Sequence, residues 1–142
     1  MRAFAPKSLE ETLLRLAEHP DLRPLAGCTD LMVSEPEDRR GLPGVLDLQS
    51  VPELRGIECC GGSLEIGAVT PFSEIRDSPE VQQSFPVLAE AASKIGGWQI
   101  QNRASLGGNM ANASPAGDSL PALLVLEAQV VLLGPEGRRT VP

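Results

Sequence analysis

The architecture of this chain is inferred most directly from one polar stretch, Arg103-Ala104-Ser105-Leu106-Gly107-Gly108-Asn109-Met110-Ala111-Asn112-Ala113-Ser114-Pro115-Ala116-Gly117-Asp118. It contains three glycines, two serines, two asparagines, a proline and an aspartate, which is unlike a core element. Because a helix-like run precedes it and an apolar run follows it, we expect an ordered loop inside a domain. Ordered polar loops on rigid scaffolds often hold ligands. The stretch therefore predicts a loop that cradles a phosphate-bearing cofactor.

Composition limits the classes of protein to which the chain can belong. With 142 residues it has the length of a typical single domain with its own core. A net charge of −7 and 3% aromatic residues argue against a nucleic-acid binder, which needs a basic surface. Three cysteines without a C-x-x-C pair and a single histidine predict no metal site. No apolar run reaches 18 residues, so we expect a cytoplasmic protein with no membrane segment.

Hydrophobic periodicity predicts short strands and helices along the whole chain. The predicted strands are 1–6, 23–26, 45–48, 54–59, 63–66, 130–133 and 138–141, and the predicted helices are 9–18, 71–77, 86–95 and 119–126. Residues 35–44 are predicted to form a loop, and Cys60-Gly61-Gly62 to close a hairpin.

Sequence signals at the ends of the helices locate their boundaries. Ser8 and Glu11 predict a capping box, and Thr70 is expected to be an N-cap with Pro71 at the first helical position. In the helix 86–95, the side chains expected to face inward are Val87, Leu88, Ala91, Ala92 and Ile95, and Gly96-Gly97 is expected to end it. His19 lies at a helix end, where an exposed cap is a simpler role than catalysis. No residue is predicted to be catalytic.

A second candidate loop, Gly27-Cys28-Thr29-Asp30, follows a short apolar strand and precedes a helix-like start. Successive N–H groups in such a turn can face a phosphate, aided by the partial positive charge of a helix N-terminus. An ordinary Asx-type turn is the alternative, since the same residue types favour it. Two such loops in one chain suggest two sides of a clamp on one elongated ligand.

The sequence resembles a known family, the FAD-binding medium subunits of the molybdenum hydroxylases, which include xanthine dehydrogenase and carbon monoxide dehydrogenase. Three segments carry the resemblance: Leu25–Leu31, similar to the A-G-G-T-D-L loop; Ile66–Thr70, similar to I-G-A-x-T; and Ile95–Pro121, with I-Q-N-R-A-S-L-G-G-N and then S-P-A-x-D-x-x-P. The resemblance implies an α+β FAD-binding fold of the vanillyl-alcohol oxidase/p-cresol methylhydroxylase type, in two small α+β subdomains. Residues 1–53 would form the first and residues 54–142 the second, which would be incomplete because family members continue further.

The resemblance also implies which residues bind FAD. The first loop would wrap the pyrophosphate with its backbone N–H groups and the Thr29 hydroxyl, and would comprise Ala26, Gly27, Cys28, Thr29 and Asp30, with Leu25 and Leu31 near the adenosine. The second segment would hold the other side of the phosphate and the ribityl chain through Ser105, Gly108, Asn109 and Asn112. Asp118 would bind ribose or ribityl hydroxyls, and Ile95 and Gly96 would lie near the isoalloxazine.

One position departs from the family pattern. Cys28 stands where the family usually has glycine. A positive φ at this position would cost cysteine about 1 kcal/mol or more, whereas a negative φ would accept it.

Three functions remain open from the sequence. The resemblance implies an electron-transfer flavoprotein subunit whose partners are an iron–sulfur small subunit and a molybdopterin large subunit, with NAD⁺ or another compound as electron acceptor. The alternatives are a stand-alone FAD oxidoreductase, such as the UDP-N-acetylenolpyruvylglucosamine reductase type, and a degenerate assembly module without flavin.

Overall fold

The first sheet is parallel and consists of three short strands in the order β1–β3–β2. In the computed structural model, which describes residues 2–33 and 41–142, they are β1 (Arg2–Phe4), β2 (Arg23–Leu25) and β3 (Gly44–Asp47). β3 pairs with both neighbours, so β1 and β2 are the edge strands of this sheet. Because the strands are parallel, the carboxyl ends of β2 and β3 lie at the same edge of the sheet. Ligands bind at this edge in many parallel sheets.

Helix α1 (Leu9–Glu18) connects β1 to β2 and confirms the predicted boundaries. The Ser8 hydroxyl accepts a hydrogen bond from the Glu11 N–H at 3.1 Å. The Glu11 carboxylate accepts from the N–H of Lys7, one residue earlier than a capping box requires. His19 is the C-cap of α1, and its ring stacks on Phe4 with centroids 5.4 Å apart. A short helix, α2 (Thr29–Val33), follows β2.

Two antiparallel hairpins lie further along the chain. The first joins β4 (Ile57–Cys60) to β5 (Ser63–Ile66), and the second joins β6 (Val130–Gly134) to β7 (Gly137–Val141). Gly61 and Gly62 both have positive φ, which suits the tight turn predicted there. The predicted strand 54–59 begins later than expected, because Pro52–Leu54 forms a 3₁₀ turn. The predicted loop 35–44 lies mostly outside the described residues.

The helices of the second half pack around one apolar cluster. They are α3 (Phe72–Asp77), α4 (Pro79–Ser84), α5 (Pro86–Lys94), α6 (Trp98–Gln101), α7 (Leu106–Asn112) and α8 (Ser119–Val125). The buried members of the cluster are Phe72, Ile75, Val81, Leu88, Ala92, Ile95, Ala104, Leu106 and Ala122. The predicted inward face of α5 is wrong at one residue, because the Val87 side chain is exposed.

The predicted start of α3 is wrong. Pro71, rather than Thr70, is the N-cap residue, and it provides no side-chain cap. The buried Thr70 hydroxyl instead bonds to the backbone of Gly56, accepting from its N–H at 2.9 Å and donating to its carbonyl at 3.1 Å. A hydroxyl next to a helix start has several possible backbone partners, and the sequence does not distinguish a distant partner from a local one. Gly96, with φ +46°, follows α5 as predicted.

The polar stretch 103–118 is not a continuous loop, because α7 occupies its centre. Backbone pairing with residues 68–72 fixes the start of α7: Leu106 N–H donates to the Thr70 carbonyl at 3.2 Å, and Gly107 N–H to the Ala68 carbonyl at 2.9 Å.

The mixture of helices and short strands confirms an α+β fold. The division of the fold into two subdomains, residues 1–53 and 54–142, stays a prediction. In the described part of the chain, no helix is long and apolar enough to cross a membrane.

Candidate functional site

The first predicted loop links the end of β2 to α2 through a left-handed residue. Cys28 has φ +61°, so the chain reverses there without a glycine. Among the hydrogen bonds of residues 2–33 and 41–142, none uses the backbone N–H groups of Gly27, Cys28 or Thr29. Three neighbouring N–H groups without an acceptor form the kind of turn that binds an anion. These three N–H groups are therefore available as donors, and their use by a ligand stays a prediction.

A glutamine at the end of β3 holds this loop in place. Gln49 follows β3 and donates from Nε2 to the Ala26 carbonyl at 3.0 Å. The Cys28 thiol approaches the same carbonyl, with Sγ 3.4 Å from the oxygen. Sequence reasoning missed Gln49, although its position just beyond a parallel strand could have indicated a supporting role at that edge of the sheet.

The Cys28 thiol has a raised pKa. Its burial is the main cause, because a thiolate loses hydration inside the protein, and the negative charge of Asp47 acts in the same direction. The positive charge of Arg103 acts in the opposite direction. The raised pKa makes Cys28 less readily ionised than an ordinary cysteine, consistent with a structural role.

The second predicted segment contributes side chains more than backbone donors. Ser105 is the N-cap of α7, and its hydroxyl oxygen accepts from the Gly108 N–H at 3.2 Å. Since Leu106 and Gly107 also have backbone partners, the N–H groups of the first turn of α7 are already bonded. The Ser105 side chain is buried, so what this segment can offer a ligand is the amides of Asn109 and Asn112.

The two predicted loops are in direct contact. A Cβ atom added to Gly27 would lie 1.7 Å from the carbonyl oxygen of Arg103, so only glycine allows this approach. A Cβ added to Gly108 would lie 3.8 Å from the Cβ of Ala26. The structure therefore brings Ala26 and Gly27 together with the start of α7, as a two-sided clamp requires.

The remaining predicted residues occupy different surroundings. Ile95 is buried in the apolar cluster, so its side chain has little surface to offer a ligand, whereas Gly96 is exposed. Asp118 is exposed and lines an open depression of about 260 Å³ between α5 and α8. Asn112 is exposed, and Leu25 and Leu31 are half-buried beside the first loop. Their roles stay predictions.

One hydrogen bond connects the second segment to a residue that sequence reasoning missed. Ser119, the first residue of α8, donates from its hydroxyl to Oδ1 of Asn109 at 2.6 Å. The Ser119 side chain is fully buried. The sequence predicted a binding role only for its neighbour Asp118, which belongs to the S-P-A-x-D-x-x-P motif.

Comparison with known proteins identifies similar chains. The family described as FAD binding domain in molybdopterin dehydrogenase matches residues 1–142. The carbon monoxide dehydrogenase medium chain of Hydrogenophaga pseudoflava is 39% identical over 97% of this chain and 48% of its own length. The nicotinate dehydrogenase FAD-subunit of Eubacterium barkeri is 38% identical over 96% of this chain and 47% of its own length.

Solved structures are similar over the same extent. A carbon monoxide dehydrogenase structure from Hydrogenophaga pseudoflava superposes with a TM-score of 0.93 at 38% identity, covering 100% of this chain and 50% of the other. Quinoline 2-oxidoreductase from Pseudomonas putida 86 gives a TM-score of 0.92 at 28% identity, with 99% and 50% coverage. The chain thus spans about half the length of the relatives it matches.

Proposed function

The chain belongs to the family of FAD-binding domains in molybdopterin dehydrogenases, and from this premise we propose that it binds FAD in the clamp between residues 25–31 and 103–112. As part of a flavoprotein subunit, it would pass electrons from an iron–sulfur small subunit towards NAD⁺ or another acceptor. A molybdopterin large subunit would oxidise the substrate. The relatives named as medium chain and FAD-subunit of dehydrogenases support this division of labour.

The residues present fit the diphosphate of FAD. The observation that carries the proposal is the contact between the two loops, where Gly27 lies against the Arg103 carbonyl beside three unpaired N–H groups. A diphosphate needs donors at close range, and glycine permits its approach to the backbone. The Thr29 hydroxyl and the Asn109 amide would add neutral donors.

This arrangement assigns the chain a binding and orienting role. Bound FAD supplies the redox chemistry, accepting and releasing electrons. The described residues contain no group of three His, Cys, Asp or Glu side chains that could hold a metal ion. The chain's own task is to fix the diphosphate with hydrogen bonds, so that the rest of the cofactor is held in one orientation.

Direct titration tests the proposed cofactor. The purified chain, freed of bound flavin, is titrated with FAD while flavin absorbance and fluorescence are followed, and we expect saturable one-to-one binding. Gly27→Ala is the matched variant, since it would separate the two loops, and Gly134→Ala is the control in a strand with no atom within 4 Å of the added Cβ. A wild-type chain that carries no flavin absorbance after incubation with excess FAD and removal of the free FAD would contradict the proposal.

The proposed partners require a separate experiment. The protein, carrying an affinity tag, is purified from its own cells, and the associated proteins are identified. We expect stoichiometric iron and molybdenum together with two other subunits. A tagged protein that carries FAD but no iron or molybdenum would favour a stand-alone flavin oxidoreductase.

A further inference from the structure

The Asn109 side chain is held by a buried partner on another helix. Oγ of Ser119 lies 2.6 Å from Oδ1 of Asn109, and the Ser119 side chain has no exposed surface. The bond joins α7 to α8 across ten positions of the sequence. Asn109 itself is only half-buried and lies in the first half of α7, directly after Gly108, which packs against the first loop.

A serine donor determines which end of an asparagine amide is free. The amide of Asn109 has an acceptor oxygen and an NH₂ group with two donor hydrogens, and rotation by 180° exchanges them. In the observed bond the buried hydroxyl donates to Oδ1, whereas the rotated amide would turn its NH₂ group towards the serine oxygen and make serine the acceptor. The NH₂ group of Asn109 is therefore the end left for another molecule.

The diphosphate of FAD requires this orientation. Its oxygens only accept hydrogen bonds, so an amide that presented its own oxygen would be repelled, whereas NH₂ can donate. The backbone of Asn109 is held in place, because its N–H donates to the Ser105 carbonyl at 2.9 Å and its carbonyl accepts from the Ala113 N–H at 3.2 Å. Only the side-chain torsions remain to be fixed, and Ser119 restricts them.

We propose that Ser119 is a positioning residue for the cofactor: it holds the Asn109 amide with its oxygen engaged, so that Asn109 donates from its NH₂ group to FAD. This inference rests on the proposed function, since it takes FAD as the ligand of the clamp. Ser119 itself does not contact FAD in this arrangement. Its effect on the cofactor passes through Asn109.

A double-mutant cycle on FAD affinity tests the proposal. Ser119→Ala frees the Asn109 amide, and we expect FAD affinity to fall about three- to tenfold, the range for one hydrogen bond. In an Asn109→Ala background the same Ser119→Ala change is expected to leave FAD affinity unchanged, because no amide remains to be oriented. Equal losses in both backgrounds, or no loss in either, would overturn the proposal. A role of Ser119 in stability alone predicts no such dependence on Asn109.

A second variant separates the two directions of the Ser119–Asn109 bond. Asn109→Asp keeps the acceptor for the serine hydroxyl and loses the donor, so the unliganded chain should melt within about 2 °C of wild type while FAD affinity falls at least about tenfold. Asn102→Asp is the matched control, since it adds the same charge on an exposed residue of the preceding turn. A large drop in the melting temperature of Asn109→Asp would show that Asn109 donates to Ser119, which overturns the inference. This variant also serves if Ser119→Ala does not fold.

The outcomes distinguish this inference from the proposed function. If the wild-type chain binds no FAD, the proposed function is wrong, and the positioning role of Ser119 is overturned with it. If the wild-type chain binds FAD and the cycle shows no coupling, the proposed function stands and only the role of Ser119 is overturned.

Discussion

Cys28 occupies a backbone conformation that cysteine adopts with difficulty. At φ +61° a Cβ atom crowds the following carbonyl, at a cost of about 1–2 kcal/mol relative to glycine. Replacing Cys28 by glycine would remove this strain. Glycine also loses more backbone entropy on folding, about 0.5–1 kcal/mol, and this loss offsets part of the relief of strain. Cys28→Gly is therefore expected to raise the free energy of unfolding by about 0.5–1 kcal/mol, measured by urea denaturation.

The control for this substitution is a glycine placed where φ is ordinary. Ala17→Gly, on the exposed side of α1, is expected to lower the free energy of unfolding by about 1 kcal/mol, because it adds entropy to the unfolded chain without relieving strain. If Cys28→Gly destabilised the protein as much as Ala17→Gly, strain at Cys28 would be disproved.

The raised pKa of Cys28 predicts a shifted pH dependence of alkylation. Since only the thiolate reacts, a thiol whose pKa is raised contains less reactive form at any pH below that pKa. In a Cys59→Ser, Cys60→Ser variant, iodoacetamide should modify Cys28 more slowly at pH 8 than a model peptide thiol. The rate should continue to rise at a pH where the peptide has levelled off. Rapid modification at pH 8 would contradict the burial of this thiol.

Residue-scale features were predictable where the cause is local. Ser8 at the start of α1 and Gly96 after α5 were identified correctly, because caps depend on adjacent residues. The sequence left the φ of Cys28 undecided, since a left-handed turn and an Asx turn favour the same residues. It also missed Gln49 and Ser119, whose partners lie on other elements of the fold.

At the scale of elements, the contact between the two loops depends on the absence of a side chain at Gly27. Gly27→Ala would place a Cβ 1.7 Å from the Arg103 carbonyl, so the loops must separate. We expect a loss of about 1–3 kcal/mol in the free energy of unfolding, as for other overpacked sites, and at least about a tenfold loss of FAD affinity. Gly134→Ala, with nothing within 4 Å of its Cβ, should change the free energy of unfolding by less than about 0.5 kcal/mol. Equal behaviour of the two variants would disprove the close contact.

Helix α7 shows why an element can escape sequence reasoning. Gly107, Gly108 and Asn109 have low helix propensity, so their pattern favours a loop. The Ser105 cap and the carbonyls of Ala68 and Thr70 bind the first N–H groups of this helix and compensate for that propensity. Those carbonyls come from a distant part of the chain, which a local pattern does not specify. Helix α1 has its apolar face and its cap within one segment, and its prediction was correct.

At the scale of the whole molecule, net charge sets how FAD affinity responds to salt. The chain carries −7, and the clamp offers neutral donors, so the protein's overall field repels the diphosphate. Salt screens this repulsion, since the Debye length falls from about 30 Å at 0.01 M to about 3 Å at 1 M. FAD affinity is therefore expected to hold or to rise about twofold between 20 mM and 500 mM NaCl, measured by fluorescence titration.

The opposite result would identify a dominant cation. A several-fold loss of FAD affinity at 500 mM NaCl would show that an ion pair outweighs the neutral donors, and Arg103 is the candidate, next to the first loop. In that case Arg103→Gln should remove the salt dependence. A salt-dependent loss that survives Arg103→Gln would indicate another basic residue.

Composition and motifs were sufficient to predict the fold class and the family, which matches residues 1–142. The pairing of residues 68–72 with the start of α7 was not predictable in this way, since the sequence shows which segments are special but not which backbone atoms face each other. The I-G-A-x-T segment illustrates this point. Its glycine and threonine both contact residues 54–56. A Cβ at Gly67 would lie 2.3 Å from the Leu54 carbonyl oxygen, and the Thr70 hydroxyl forms hydrogen bonds with the backbone of Gly56.

The contact of Gly27 with Arg103 joins segments that are far apart in the sequence, and this has a consequence for the order of folding. A contact with a large sequence separation closes a large loop, so it tends to form after the local helices and hairpins have formed. A ligand that recognises only this late contact has nothing to bind in the transition state of folding. FAD would then lengthen the lifetime of the folded chain by slowing unfolding, while the rate of refolding would stay the same with or without it.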